Sequence, residues 1–295
     1  MAVYEHTYEN YAGATTPTWS RFLILPRYAY ADVFASKLFV AFFSLCFVCP
    51  LVASILIYLQ YNTSALAIFQ LSVENLLPIN ADFFRTIVGI QGMCGFFLTL
   101  IMGPPLIARD TANNGLPLYL CRPFSRAEYV AGKMATLLIL LSLITWIPIL
   151  LLFFFRSYLA GFQWFIDNLW IADAILWSSL TWIVTLALLC LALSAWLKWR
   201  MASSAALFGV FFIPGIIGTV INELFNTKWG DLINIGALIE TVSGRFFRSG
   251  LNVNPSEALV TSNLPFGVAV VMLILIGLFC LWLIRLKVRA YEVIK

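Results

Sequence analysis

Apolar residues run along this chain in long charge-free stretches, without the alternation of a strand or the narrow stripe of a water-facing helix. The first runs from Leu38 to Leu59 behind Lys37, the second from Ile87 to Ile107 between Arg85 and Arg109, and the third from Met134 to Phe155 between Lys133 and Arg156. A fourth lies between Asp173 and Lys198, a fifth between Arg200 and Glu223, and the last runs from Phe266 to Ile284. A bilayer core about 30 Å thick takes about 20 helical residues at 1.5 Å each, so each stretch predicts one crossing. The pattern predicts an all-α polytopic membrane protein with six transmembrane helices. Residues 1–37 form a tail and an amphipathic lead-in helix, 38–284 the six-span domain, and 285–295 a second tail.

Composition narrows the class further. Of the 295 residues, 62% are apolar and 11% charged, with a mean hydropathy of +0.92. A water-soluble domain carries about 25% charged residues, so a soluble enzyme is excluded, and so is a disordered chain. The net charge of +4 is read by position rather than as a nucleic-acid signal, and no nucleic-acid partner is expected. With both termini on one side, every Lys and Arg except Arg85, Arg156, Lys228, Arg245 and Arg248 falls on that side. Such an excess marks the cytoplasmic face, so both termini are expected in the cytoplasm. Trp196, Trp199 and Trp282 then lie near the inner interface, and Trp164, Trp170 and Trp177 near the outer one.

Several chemistries lack their residues. The single histidine, His6, sits in the N-terminal tail, leaving no material for a His-based metal site or a Ser-His-Asp triad. No Asp, Glu, Lys or Arg interrupts the apolar stretches, which disfavours a proton relay. Cys46 and Cys49 form a CxxC inside the first stretch and read as ordinary buried cysteines. Gly132-Lys133 ends like a P-loop, but Ala127 stands where a glycine is needed and Met134 where Ser or Thr would hold magnesium. The chain is expected to bind no nucleotide, metal or other cofactor itself.

Two segments carry more specific signals. After Pro26, the residues Tyr30, Val33, Phe34 and Leu38 recur at helical spacing, with Arg27, Asp32 and Lys37 nearby. This predicts either a short amphipathic helix on the inner leaflet or the first turns of the first span. Between the second and third spans, Pro104 and Pro105 predict a kink or an end to the second helix. Leu116, Leu118, Tyr119 and Leu120 form an apolar knob between Gly115 and Arg122-Pro123, with a basic rim of Arg109, Arg122, Arg126 and Lys133. Ser125 with Glu128 predicts a capping box that starts the next helix at Arg126. An apolar knob on the cytoplasmic side needs lipid headgroups or a partner to cover it.

The run Ile107-Ala-Arg-Asp110, Gly115, Leu118-Tyr-Leu-Cys-Arg-Pro123, Ser125-Arg126, Tyr129 and Gly132-Lys133 resembles the signature of type-2 ATP-binding-cassette transporter permeases. Six spans, cytoplasmic termini and an amphipathic lead-in fit the same family. The chain departs from its pattern at Gly115-Leu116-Pro117-Leu118, where many members carry Gly-Thr-x-Glu. The resemblance implies a permease subunit, an exporter, in a bacterial inner (plasma) membrane. It implies a short cytoplasmic coupling helix within residues 108–133 that docks on a separate ATPase subunit. ATP and magnesium would sit on that ATPase, and a second permease copy, identical or homologous, would complete the path. The residues implied in coupling are Arg109, Asp110, Gly115, Leu116, Leu118, Tyr119, Leu120, Arg122, Pro123, Ser125, Arg126, Glu128 and Lys133.

The remaining patterns bear on movement and cargo. Gly89, Gly92 and Gly95 form a small-residue face, read as packing within the chain. Pro214-Gly215 is expected to break the fifth span and, with Pro104-Pro105, is a candidate hinge or gate. Leu232, Ile235, Ile239, Val242 and Phe246 share one face after Asp231, a candidate N-cap, and predict an interfacial or re-entrant helix in the outer loop. Gln91, Ser142, Thr145, Ser178, Ser179 and Thr181 suggest a lining suited to an amphiphilic, lipid-like cargo. A non-transporting structural subunit of a larger membrane complex, and less readily an intramembrane enzyme, are the alternative readings.

Overall fold

The computed structural model describes residues 18–62, 78–113, 125–248 and 264–288. Among the described residues there are helices and no strand. Six helical stretches are long and apolar enough to cross a membrane: Lys37–Tyr61, Ala81–Asp110, Arg126–Ala160, Phe162–Trp196, Arg200–Phe225 and Phe266–Lys287. Each contains most or all of one predicted crossing.

Before the first span, a 3-10 turn at Thr18–Leu23 leads into α1 (Ile24–Phe34). Ser36, in extended backbone, then accepts a hydrogen bond from the Phe39 N–H and caps α2 (Lys37–Leu45). The lead-in is therefore a separate helix, and the cap changes its direction. Tyr30 and Val33 pack on the core, whereas Phe34 of the same helix and Leu38 of the next are exposed, so the predicted face is not buried as one.

Proline shapes the next spans. The first is interrupted at Cys46-Phe47 before α3 (Val48–Tyr61). Pro50 has no N–H for the Cys46 carbonyl four residues back, and Gln91 Nε2 donates to that oxygen at 3.0 Å. The second span is α4 (Ala81–Met102) and α5 (Pro105–Ala112), parted at Gly103-Pro104. The third is α6 (Arg126–Ile144) and α7 (Trp146–Ala160), parted at Thr145 ahead of Pro148.

Gly161, at φ 98°, turns α7 directly into α8 (Phe162–Trp196), a backbone region that glycine enters readily. The segment between Arg156 and Asp173, outside the predicted crossings, is thus mostly helix. The third and fourth spans are each 35 residues long, roughly 52 Å against about 30 Å of hydrocarbon. The expectation of spans without charged residues is corrected accordingly. Arg85, Lys133, Arg156, Asp167 and Asp173 stand on the spanning helices, because these helices continue past the charge-free stretches.

The core is organised around α8, whose apolar window is 67% buried, against 17% for α9 (Arg200–Phe225). Gly92 of α4 lets the Trp182 ring approach, and Gly95 meets Leu141, so both pack within the chain; Gly89 faces open space. Phe96, fully buried, packs against Phe211, tilted, and Phe212, edge-on, of α9 at 4.8 and 5.5 Å between ring centres.

At the end of the bundle holding the Gly161 turn, α9 passes through Pro214 without interruption, correcting the predicted break. Its glycines receive the chain that follows: a Cβ at Gly218 would lie 2.5 Å from the Gly230 carbonyl oxygen. Asn222 ties this approach together by accepting from the Gly230 N–H and donating to Asp231, each at 2.8 Å. With Asp231 engaged there, Asn234 rather than Asp231 caps α10 (Ile235–Phe246), accepting from Ala237 N–H. Ile235, Leu238, Ile239 and Val242 of α10 are buried. They face α8 and α11 (Phe266–Lys287), so this helix is tucked into the bundle rather than laid along its rim.

Candidate coupling site

The end of the bundle opposite Gly161 holds the junction of the second and third spans. Proline dictates its first half. Neither Pro104 nor Pro105 has an N–H, so α4 stops at Met102 and α5 begins with its first donors lacking a partner within the helix. Ser194 of α8 supplies it. Its hydroxyl oxygen accepts from the N–H groups of Ile107 and Ala108 at 3.1 and 3.0 Å and donates to the Pro104 carbonyl at 2.6 Å. The approach is close because position 103 is glycine, whose missing side chain would meet the Cys190 sulfur. Nothing near Ser194 in sequence announces this role; the hint is its setting among small residues, Ala192, Ser194 and Ala195.

The second half follows the capping box. Glu128 N–H donates to Ser125 Oγ at 3.2 Å and Ser125 N–H donates to Glu128 Oε2 at 2.6 Å, so α6 starts at Arg126 as predicted. This reciprocal pair occupies Glu128 in holding the helix terminus. Arg126 is exposed beside it.

An ion pair joins the halves. Lys133 Nζ lies 2.8 Å from Asp110 Oδ2, and the Tyr129 hydroxyl donates to the same oxygen at 2.7 Å. The ammonium also stands 5.5 Å from the Tyr129 ring centre. The two charged side chains are only 10% and 17% exposed, which corrects the placement of Lys133 on a basic rim. Beside it, Gly132 admits the lead-in segment: a Cβ there would lie 2.6 Å from Leu25 Cδ1 and 2.8 Å from the Phe22 carbonyl oxygen. Gly132 and Lys133 thus perform two coupled steric and electrostatic tasks on adjacent faces of α6.

The lead-in helix touches both sides of the junction. Tyr30 donates to the Thr136 carbonyl at 2.8 Å, and burial pushes its hydroxyl pKa up to about 12. Asp32 pairs with Arg109 across the surface at 2.5 Å; both side chains are more than half exposed, so this pair adds little stability. The sequence pattern put Asp32 on the lead-in helix and gave no sign of its pairing with Arg109. Gly115, Leu116, Leu118, Tyr119, Leu120, Arg122 and Pro123 lie outside the described residues.

The polar residues read as a cargo lining are redistributed by the fold. Gln91 serves the Cys46 carbonyl, Thr145 donates to Leu141, and Ser178 donates to Ser243 at 2.6 Å. Ser179 is buried between helices and Ser142 is half-buried. Thr181 alone of the six faces an open groove. A lipid-like cargo is therefore no longer supported by these side chains. Gly215 lies against Asn234, with a would-be Cβ 3.3 Å from its amide nitrogen, so it seats the segment leading into α10.

Among curated proteins none matches this chain in sequence. The model of a protein family described as ABC-2 family transporter protein matches residues 30–286. That match takes in all six spans and the Ser194, Asp110–Lys133 and Ser125–Glu128 contacts at the junction. The chain belongs to the ABC-2 transporter family and is a membrane permease subunit of an ATP-binding-cassette transporter.

Proposed function

We propose that residues 108–133 are the element through which a separate ATP-binding-cassette ATPase drives this permease, and that the transporter is an exporter. The Asp110–Lys133–Tyr129 contact carries the reading. It ties α5 and α6 together at the two ends of the 111–124 segment, so a force on the knob reaches the second and third spans as one body. ATP and magnesium belong to the ATPase, whose closure would displace the knob and switch the spans between two packings. The Lys and Arg residues around the junction support a cytoplasmic side for it and for both termini, by the positive-inside rule, in a plasma membrane. Two permease copies would form the path, the weakly buried first, fifth and sixth spans facing lipid or the second copy. The outward direction rests on the family resemblance.

The test is purification of the tagged chain in mild detergent, with mass spectrometry of what accompanies it. A stoichiometric partner carrying GxxxxGK[ST] is expected. Leu118→Asp or Leu120→Asp is expected to abolish that association while leaving membrane insertion intact. Undiminished association in both variants overturns the docking role.

A further inference from the structure

Along α11, between α8 and α10, runs an open groove of about 470 Å³, within the range of about 300–1,000 Å³ usual for ligand sites. Its α11 wall extends from Phe266 to Leu281, roughly 22 Å at 1.5 Å per residue, against about 15 Å for one leaflet of hydrocarbon. The walls offer no free donor. Thr181 and Thr185 are the two hydroxyl residues in the lining, and each donates to the carbonyl four residues back on α8, at 2.8 Å. A polar solute finds nothing there to replace its water; a long hydrocarbon chain loses nothing.

One mouth of the groove is basic and aromatic. Phe246 lines it, and its neighbours Arg245, in the last turn of α10, and Arg248, two residues past its end, are exposed and form no ion pair among the described residues. The Arg248 guanidinium stacks over Trp170 at 4.5 Å from the ring centre. Trp170 and Trp177 precede Thr181, Val184 and Leu188 at helical spacing, so the arginine stack continues the α8 wall beyond the groove. Trp177 lies 19 residues before Trp196 on α8, roughly 28 Å and close to the hydrocarbon thickness. Lys287 stands over Trp196, 5.3 Å from its ring, as an anchor at the opposite boundary would. Arg245 and Arg248 therefore sit at the level of lipid phosphates. Guanidinium groups bind phosphate oxygens in pairs and stack on aromatic rings.

We infer that this groove binds one acyl chain of a membrane phospholipid whose phosphate headgroup is held by Arg245 and Arg248. The site stands on the six-span fold and not on the ATPase-coupling reading. The whole chain, with any ATPase that accompanies it, is placed in phosphatidylcholine nanodiscs. These contain a minor fraction of phosphatidylglycerol bearing a diazirine acyl chain, or of phosphatidylcholine with the same chain. After illumination, adducts are mapped by peptide mass spectrometry. Adducts are expected to concentrate on Val184 and Val270–Ile274, several-fold above the equally lipid-facing Ile213–Ile217, and more strongly with phosphatidylglycerol. Val184→Trp should empty the groove of label without changing label at Ile213–Ile217. Arg245→Gln with Arg248→Gln should erase the preference for phosphatidylglycerol. Equal labelling of both regions by both lipids overturns the site, as does cross-linking of the groove to a second copy of the chain in place of lipid. Presence of the ATPase is scored in the same samples, so failure of the coupling reading is seen separately.

Discussion

The two ends of this bundle are closed by different means. At the end that joins the second and third spans, the buried Asp110–Lys133 pair, the Ser194 hydroxyl and one capping box hold the elements at a few points. At the other end, α10 presses an apolar face into α8 and α11, aided by glycines, the Ser178–Ser243 hydrogen bond and a partly exposed Arg85–Glu240 ion pair to α4. The first arrangement depends on whether each buried charge has its partner; the second depends chiefly on shape. The junction proposed to transmit force would gain from a few directional contacts, while a seal gains from continuous packing.

Substitutions at each end can break or sharpen this contrast. The largest effect is expected for Lys133→Met, which leaves the Asp110 carboxylate enclosed with Tyr129 as its remaining partner. Loss of about 3–5 kcal/mol follows from breaking a buried pair. Asp110→Leu combined with Lys133→Met should recover most of it, read by unfolding in mixed micelles. If the double variant is as unstable as the single one, charge pairing is not what holds this end.

Leu238→Ala at the sealed end removes a fully buried side chain of α10 and should cost about 2–4 kcal/mol through the cavity left behind. Unlike the Lys133 defect, it has no single partner whose removal restores stability. A smaller loss, about 1–3 kcal/mol, is expected for Gly132→Val, whose side chain would strike Leu25 and the Phe22 carbonyl. Limited proteolysis should then cut the lead-in helix first; unchanged protection would separate α1 from the junction. The smallest effect is the coupling between Ser178→Ala and Ser243→Ala, about 0.6 kcal/mol in a double-mutant cycle.

The crossings and the start of α6 were legible because their signals are local. Charge-free length decides a span, and Ser125 and Glu128 meet within a single turn. The continuation of α7 and α8 past Arg156 and Asp173 was not, because a charge marks where an apolar stretch stops and not where hydrogen bonding stops. Lys133 was misplaced for a related reason. Its pairing with Asp110 joins two helices, and the adjacent Gly132 packs against Leu25 and Phe22, more than a hundred positions away in the chain. Ser194 carried only the faint hint of its small neighbours, since its three partners are backbone groups at the prolines of another helix.

The Ser194 contact also bears on the order in which the molecule can be made. The N–H groups of Ile107 and Ala108 emerge from the ribosome well before their acceptor, which lies 86 positions beyond Ala108. At about 5–20 residues per second, the interval is roughly 4–17 s. During it, the Ala108 N–H of the nascent second crossing lacks that acceptor, and water at the bilayer surface must serve it. The bend at Gly103-Pro104 cannot be sealed until the fourth crossing is threaded beside it. A ribosome stalled between residues 112 and 194 would therefore leave a second span inserted but unfinished.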